Sequence, residues 1–296
     1  AWVARIAASF ARKKKGGSPG GERQVRPPGA REAVARFADD ILHDLTPTEL
    51  VAVWAPHARR VARRLHRATP FSAVMTTSYP YSAHLVGLDL ARRFGLPWIV
   101  DLRDPWTLNF VHDRKHAPVR WLERRLERAC FEAASRVTVT TETLAAEYRR
   151  LYPAWADKFV AIRNAFDPIE LPEAAPTPAP RRIVHFGHVY RARSMSVVYR
   201  ALARLRDEGR LRPGDLVLEN YGRLADADRA EIVRLGVEPF VSARSEVPYL
   251  EGVRSLRSAS LLLLPAFATE RERFFLPGKL YDYLLARRPV LAVAES

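Results

Sequence analysis

The chain has 296 residues and a formal net charge of +15, from 48 Lys or Arg and 33 Asp or Glu. Because a usual domain has roughly 100–200 residues, two domains are the first expectation. No apolar run approaches the roughly 20 residues that cross a bilayer, and no signal peptide opens the chain. The single cysteine, Cys130, excludes an internal disulfide and a cysteine metal cluster. The composition therefore predicts a soluble, cytoplasmic protein.

The positive charge suggests a nucleic-acid partner, because basic surfaces bind phosphate backbones. Of the 48 basic residues 42 are arginines, and alanine is also abundant, a bias that a GC-rich genome explains. The chain has no recognisable nucleic-acid module, zinc spacing or aromatic stacking motif. We therefore expect no nucleic-acid partner and keep a nucleic-acid-binding protein as an alternative. The charge also favours anionic substrates or the inner face of an anionic membrane.

The first part of the chain has a different composition from the rest. Residues 1–30 carry a lysine run, paired glycines and paired prolines, which predicts a flexible or disordered segment. Residues 32–68 predict two helices, the second beginning near Pro47. This second helix has a basic side that suits either solvent or anionic lipid. Its apolar side comprises Leu50, Val53, Trp54, Ala58, Val61 and Leu65, and its basic side Arg59, Arg60, Arg63, Arg64 and Arg67.

From residue 71 onward short apolar runs alternate with amphipathic helices, which is the pattern of βαβ units in a parallel sheet. Strands are predicted at residues 73–76, 98–102, 137–140 and 159–162, and again at 182–186, 216–219, 237–241, 261–264 and 290–293. A proline-rich stretch at residues 168–181 separates the two sets and reads as a linker.

The predicted fold class is therefore α/β, with two Rossmann-like parallel-sheet domains at residues 31–167 and 182–296. The chain begins with Ala1, and its last residue, Ser296, closes a predicted strand with no helix after it. Because such a domain normally continues with further crossovers, we expect both domains to be incomplete parts of a longer protein.

The end of the chain predicts an anion-binding site. Pro277 and Gly278 precede a short helix, and Lys279 and Asp282 share the face of its first turn. A helix N-terminus carries partial positive charge, so a cation and a carboxylate there suit a phosphate and a ribose hydroxyl respectively. Tyr283, the next residue, is expected to contribute to the same site.

A second candidate loop follows the predicted strand at residues 182–186. Gly187 allows the backbone to approach a ligand closely, and Arg191 and Arg193 come just before a helix N-terminus. A diphosphate at this point would gain both charge pairing and the helix dipole. The alternative is a surface turn with solvated arginines.

Charged residues also lie at the carboxyl end of the strand at residues 98–102, where parallel sheets bind ligands. Asp101, Arg103 and Asp104 lie there, followed by Pro105 and Trp106. The last two residues fix a loop at a place where no core is needed, which favours a functional loop. Arg103 or Asp104 would then face a sugar or an acceptor. The alternative is a structural ion pair among the three charges.

Two further segments carry candidate residues. Residues 77–84 join a strand to a helix, and their hydroxyls, including those of Ser78 and Tyr79, suit an acceptor or a donor phosphate. His84 is a candidate acid–base group, with a structural role as the alternative. Asn164 follows the last strand of the first domain.

Five of these segments, in this order from about Phe71 to the end, resemble the family-4-like group of GT-B glycosyltransferases. The resemblance implies that a sugar is transferred from a nucleotide-diphosphate sugar to a glycan or a lipid-linked glycan, as in cell-envelope polysaccharide biosynthesis. It also implies retention of anomeric configuration, no cofactor and no metal. A sugar-nucleotide epimerase of the same architecture is the alternative within this frame.

The resemblance also implies roles for single residues. The family's basic loop binds the donor diphosphate, which implies this role for Arg191 and Arg193 together with Lys279. Asp282 aligns with the second carboxylate of the family's Glu-x7-Glu motif, which binds the donor ribose. The first carboxylate falls on Phe274, which cannot replace it.

Other parts of the resemblance are less complete. Residues 270 and 272 are glutamates close to Phe274, and either is a candidate for the missing first carboxylate. The segment of Asn164 resembles the family's Asn-Gly-Val-Asp, with Ala165 in place of the glycine. The expected site comprises catalytic residues Asp104, Arg103 and His84, donor-binding residues Gly187, Arg191, Arg193, Lys279, Asp282 and Tyr283, and acceptor or cleft residues Ser78, Tyr79, Asp101 and Asn164.

Overall fold

The computed structural model describes residues 54–109, 112–113, 115–167, 180–189, 194–266 and 273–294. Several sequence predictions lie outside the described residues: the flexible segment 1–30, the helix start near Pro47, most of the linker 168–181, the loop arginines Arg191 and Arg193, and Glu270 and Glu272.

The first half of the described chain forms a four-stranded sheet in which all neighbouring strands are parallel, in the order β1-β2-β3-β4. Every second side chain of β2 is fully buried, namely Trp98, Val100 and Leu102. The elements in chain order are α1 (Ala55–Ala68), β1 (Val74–Ser78), α2 (Ala83–Phe94), β2 (Trp98–Leu102), α3 (Ala117–Ala133), β3 (Arg136–Val139), α4 (Glu142–Leu151) and β4 (Phe159–Ala161).

Local chemistry explains the ends of these helices. Helix α2 ends at Gly95, which adopts the left-handed conformation (φ 67°) that glycine reaches without steric cost. Helix α4 begins after Thr141, whose hydroxyl accepts a hydrogen bond from the Leu144 amide (3.1 Å) and satisfies one of the free donors of the first turn. Both boundaries follow from local residue types, a glycine after a helix and a threonine before one.

The second half forms a five-stranded parallel sheet in the order β7-β6-β5-β8-β9, so strand order reverses between β5 and β8. Separate apolar clusters cover its two faces, with Leu263 on one and Leu262 and Leu264 on the other. The elements are β5 (Arg181–Phe186), α5 (Ser196–Asp207), β6 (Leu216–Tyr221), α6 (Asp226–Leu235), β7 (Val241–Arg244), α7 (Tyr249–Arg257), β8 (Leu261–Ala266), α8 (Lys279–Ala286) and β9 (Val290–Ala294).

The point where strand order reverses determines where a ligand can bind. Strands β5 and β8 pair at only two positions, Ile183 with Leu261 and Val184 with Leu262. Open parallel sheets bind ligands outside the carboxyl ends of their strands at such a point. The residues after β5 and at the start of α8 are therefore the first candidates in this sheet. The predicted fold class, α/β with two parallel sheets, is confirmed.

The predicted orientation of α1 is wrong in part, since Ala58 and Val61 of its predicted apolar side are half-buried. Trp54 and Leu65, assigned to the buried side, are 41% and 50% exposed. Arg63, assigned to the solvated side, forms an ion pair with Asp89 of α2, and Arg59 donates to a backbone carbonyl of the same helix (3.2 Å). The contacts of Arg59 and Arg63 with α2 therefore turn the basic side of α1 towards the neighbouring helix. Among the described helices, none has the length and apolar character needed to traverse a bilayer.

Strand β7 begins four residues later than predicted. Residues Glu238–Phe240 form a 3-10 turn, and β7 begins at Val241. Pro239 has no amide hydrogen and cannot donate to a strand ladder, so the apolar run around it does not extend as a strand.

Candidate functional site

The predicted donor residues Gly187 and Lys279 lie together at the reversal point of the second sheet. Gly187 follows β5 with φ 136°, a backbone conformation that residues other than glycine rarely adopt. A Cβ built on it would lie 2.9 Å from the Lys279 Nζ. Lys279 is the first residue of α8, and its ammonium donates to the His185 Nε2 at 2.9 Å. A cation thus lies beside a backbone segment that has no side chain.

Asp282 lies three residues after Lys279, in the first turn of α8. Its Oδ1 accepts a hydrogen bond from the Tyr249 hydroxyl of α7 (2.8 Å). Partial burial, then this bond, then the charges of Asp282 and Asp167 raise the pKa of Tyr249 to about 12, so the phenol stays protonated at neutral pH. The carboxylate is therefore oriented by a donor and keeps accepting capacity for a hydroxyl.

Asn164 belongs to the exposed segment that follows β4, three residues before Asp167. The role of Asn164 at a cleft stays a prediction.

Tyr283 does not lie at the ligand-facing surface, contrary to the prediction. The side chain is fully buried, and its hydroxyl donates to the Leu263 carbonyl (2.9 Å) and accepts from the Phe186 amide (3.2 Å). These two groups belong to β8 and β5, beyond the positions where the strands pair directly. The Tyr283 hydroxyl therefore joins β5 and β8 by hydrogen bonds at the point where the two strands diverge.

Phe274 occupies the position of the expected first carboxylate. Its side chain is 3% exposed and belongs to the apolar core of the first sheet. Its carbonyl accepts a hydrogen bond from the Thr141 hydroxyl at the start of α4 (3.1 Å). A carboxylate at this position would be buried among apolar side chains, which costs free energy unless it is paired.

In the first sheet, Asp101 is held between the two neighbouring strands. It is the register partner of Thr77 in β1 and Thr138 in β3. Both threonine hydroxyls donate to its carboxylate, at 2.6 Å each. The carboxylate is thereby engaged across the sheet, so an ion pair with Arg103 is not what satisfies it.

The loop after β2 exposes Arg103 and Asp104. Hydrogen bonds hold the rest of this loop in place. Pro105 and Trp106 are buried. Four hydrogen bonds hold the loop: Tyr81 Oη to the Pro105 carbonyl (2.7 Å), the Trp106 amide to Tyr148 Oη (3.1 Å), and the Thr107 amide and Oγ1 to the Glu127 carboxylate (3.0 and 2.8 Å). The loop thus projects a cation and a carboxylate at the carboxyl end of β2 on a fixed backbone.

The two candidate residues between β1 and α2 differ in their burial. Ser78 is buried, with its hydroxyl near the Asp101 carbonyl (3.4 Å), so the prediction that it contacts an acceptor is wrong. Tyr79, the next residue, is exposed, and its contact with a ligand stays a prediction.

The structure does not support an acid–base role for His84. The side chain is fully buried, and its Nδ1 forms a hydrogen bond with the Thr76 hydroxyl (2.9 Å), which also accepts from Trp98 Nε1. Burial lowers the pKa of His84 to about 4. The imidazole is therefore neutral at pH 7 and belongs to the core under the sheet.

This buried histidine predicts a loss of stability in acid. Its pKa falls from 6.5 to about 4 on folding, so its contribution is complete above pH 6.5 and is lost as the pH falls towards 4. Between pH 7 and pH 4.5 the native protein should lose about 2 kcal/mol that a His84→Asn variant does not lose. Urea unfolding at a series of pH values measures both free energies. Parallel pH dependence in the two proteins would contradict the buried, neutral state.

Sequence reasoning missed His185, Asn220 and Tyr249. The first two residues carried a signal, because each stands near the end of an apolar strand and is followed by an aromatic residue and a glycine. The triplets are His185-Phe186-Gly187 and Asn220-Tyr221-Gly222. Tyr249 gave no such signal, since its role depends on how α7 packs beside α8.

Residues 3–165 match a family model described as the glycosyl transferase 4-like domain. A search of curated protein sequences gave no match.

Solved structures share the fold of the described chain. The lipopolysaccharide outer core galactosyltransferase WaaB aligns with a TM-score of 0.55 and 15% identity, over 80% of this chain and 60% of its own length. Sucrose-phosphate synthase from Thermosynechococcus elongatus gives the same four values. An alpha,alpha-trehalose-phosphate synthase (UDP-forming) from Burkholderia xenovorans gives 0.55 and 11%, over 81% of this chain and 63% of its own. The chain thus spans about three fifths of the length of these structures.

Proposed function

Because the chain belongs to the glycosyl transferase 4-like family, we propose that it takes part in transferring a sugar from a nucleotide-diphosphate sugar to an acceptor. The two parallel sheets and the aligned structures agree with a GT-B architecture. The observation that carries the proposal is the Lys279 ammonium beside Gly187, at the reversal point of the second sheet. This position suits the diphosphate of a donor.

The proposed chemistry follows from where charge develops. Cleavage of the bond between sugar and diphosphate leaves growing negative charge on the leaving phosphate. A fixed cation at that point stabilises the transition state more than the ground state. Lys279 would supply this cation, with Arg191 and Arg193 added from the loop after β5. Metal independence and retention of configuration remain proposals that rest on the family resemblance.

Asp282 is proposed to accept a hydrogen bond from the donor ribose. Its orientation by the Tyr249 hydroxyl supports this role, because the carboxylate is positioned before the ligand arrives. Arg103 and Asp104, on the rigid loop after β2, are proposed to face the transferred sugar or the acceptor. The proposed acceptor is a glycan or a lipid-linked glycan.

The base of the donor is best tested first with uridine. The trehalose-phosphate synthase of similar fold is named for forming UDP, and the pneumococcal O-GlcNAc transferase GtfA was solved with UDP and GlcNAc (TM-score 0.50, 8% identity). UDP is therefore the first probe for this chain, with GDP as the comparison.

Contact with an anionic membrane at the cytoplasmic side is proposed on the basis of exposed arginines. Arg59 and Arg63 no longer count towards such a surface, since they contact α2. The residues that remain are Arg60, Arg64 and Arg67 on α1, and Arg92, Trp121, Arg124, Arg125 and Arg128 around a surface cleft along α2 and α3. Such a cluster would attract acidic headgroups.

Replacement of Lys279 tests the donor site. Removing the ammonium should weaken UDP binding about 30-fold in a Lys279→Ala variant, because a diphosphate then loses its positioned cation. Arg64→Ala is the matched control, since it removes an exposed positive charge from α1, and its affinity should change less than twofold. Calorimetric titration with UDP and GDP measures both.

Equal effects of the two substitutions would refute the assignment of the donor site. A thermal-shift panel of nucleotide sugars then identifies the donor, because a ligand that binds the native state raises its melting temperature. Release of free nucleotide and an epimerised sugar without any acceptor would instead favour the epimerase alternative.

A further inference from the structure

A chain of three hydrogen bonds lies behind the Lys279 ammonium. Lys279 Nζ meets His185 Nε2 at 2.9 Å, and His185 Nδ1 meets Asn220 Oδ1 at 2.6 Å. Asn220 Nδ2 then donates to the Gly222 carbonyl at 2.7 Å. His185 and Asn220 are both fully buried. They are also direct register partners in the neighbouring strands β5 and β6.

The partners determine the protonation of His185. An ammonium group can only donate, so the Nε2 that faces it must accept. The Asn220 amide is oriented by its donation to a backbone carbonyl, which leaves its oxygen to accept from His185. The imidazole is therefore neutral, with its proton on Nδ1. Each group in this series of hydrogen bonds therefore donates to the next, from the Lys279 ammonium to the Gly222 carbonyl.

We propose that His185 is a positioning residue that holds the Lys279 ammonium beside Gly187, and that Asn220 fixes the tautomer that makes this possible. The inference rests on the proposed donor site and deepens it. A lysine ammonium is a point charge on a flexible four-carbon stem, so holding it in place removes conformational freedom before the ligand binds. In the sequence, His185 and Asn220 each lie two positions before a glycine.

The backbone around the ammonium supports the same conclusion. A Cβ on Gly187 would lie 2.9 Å from Lys279 Nζ, and a Cβ on Gly222 would lie 2.7 Å from the Gly187 carbonyl oxygen. The two glycine turns at the ends of β5 and β6 therefore pack directly against each other. The last acceptor of the hydrogen-bond chain and the ligand-facing turn belong to the same packed unit.

Two substitutions of His185 separate positioning from packing. Asparagine places its amide near the position of Nδ1, so His185→Asn keeps a partner for Asn220 and loses the acceptor for Lys279. Glutamine reaches the position of Nε2, so His185→Gln keeps an acceptor for Lys279 and loses the contact with Asn220. We expect the Kd for UDP to rise about tenfold in His185→Asn and to stay within about threefold of wild type in His185→Gln. Calorimetric titration measures both values. Equal losses in the two variants would overturn the inference.

A double-variant cycle separates this inference from the proposed function. If His185 acts through Lys279, His185→Asn should change the Kd for UDP less than twofold in the Lys279→Ala background. A tenfold effect there would overturn the positioning role while leaving the donor site in place. Absence of UDP and GDP binding by the wild-type protein would remove the proposed function and, with it, the ligand part of this inference.

Nuclear magnetic resonance tests the hydrogen-bond chain without any ligand. Long-range proton–nitrogen spectra of histidine-labelled protein distinguish the two neutral tautomers, and the His185→Gln spectrum assigns the signal. We expect the Nδ1-protonated form at pH 7. An Nε2-protonated or a charged imidazole would contradict the chain, whatever the binding data show.

Discussion

A Gly222→Ala variant is expected to lose about 3 kcal/mol or more of stability. The residue has φ 135°, and an added Cβ would lie 2.7 Å from the Gly187 carbonyl oxygen and 3.2 Å from the His188 amide nitrogen. Alanine therefore meets both backbone strain and an overlap with backbone atoms that cannot rotate away. Urea unfolding, followed by circular dichroism, measures the loss.

Gly209→Ala is the matched control for this prediction. Gly209 follows α5 with φ 69°, and a Cβ built there has no atom within 4 Å. It carries the strain of a left-handed residue without the overlap, so its cost should be about 1 kcal/mol. A Gly222→Ala protein as stable as the Gly209→Ala protein would show that the two glycine turns do not pack against each other.

Removal of the Glu127 carboxylate is expected to cost about 3–5 kcal/mol in a Glu127→Ala variant. The side chain is fully buried and accepts hydrogen bonds from the Thr107 amide and hydroxyl and from the hydroxyls of Tyr148 and Tyr152. Its loss leaves several buried donors without an acceptor, which is among the most destabilising changes in a core. The free energy of unfolding in urea is the measurement.

Two further variants sharpen this test. Glu132→Ala, on the same helix, removes an exposed glutamate and should change stability by at most about 0.5 kcal/mol. Glu127→Gln keeps the shape but turns one acceptor into a donor facing other donors, so an intermediate loss of about 1–2 kcal/mol is expected. Because Glu127 holds the loop of Arg103 and Asp104, Glu127→Gln should also lower the proposed sugar-transfer activity. A Glu127→Ala protein as stable as wild type would contradict the anchoring role.

The order of the elements and several of their ends follow from local amino-acid patterns. Alternation of apolar runs with amphipathic helices is a local property, so β2 was predicted with its observed bounds. Gly95 and Thr141 end and begin their helices through hydrogen bonds within a few residues. The shared first turn of Lys279 and Asp282 likewise follows from helical periodicity alone. These predictions needed no knowledge of distant contacts.

Which polar side chains stay exposed depends on the packing of the assembled fold. His84, Ser78 and Tyr283 all carry polar groups at the ends of strands or helices, yet the packing of neighbouring elements buries them. Burial depends on what covers a residue, and that is set by segments far away in the chain. The same holds for Phe274, which packs into the core of a sheet formed by much earlier residues.

The proposed donor site depends most on contacts between distant parts of the chain. Lys279 and His185 are 94 positions apart, and His185 and Asn220 are 35 apart. Their contacts require the register of β5 with β6 and the return of α8 to the same sheet end. Periodicity predicts that each strand exists, but it does not determine which strands become neighbours. Strand order is decided by how the crossovers pack, so the site exists only once both sheet and helices have assembled.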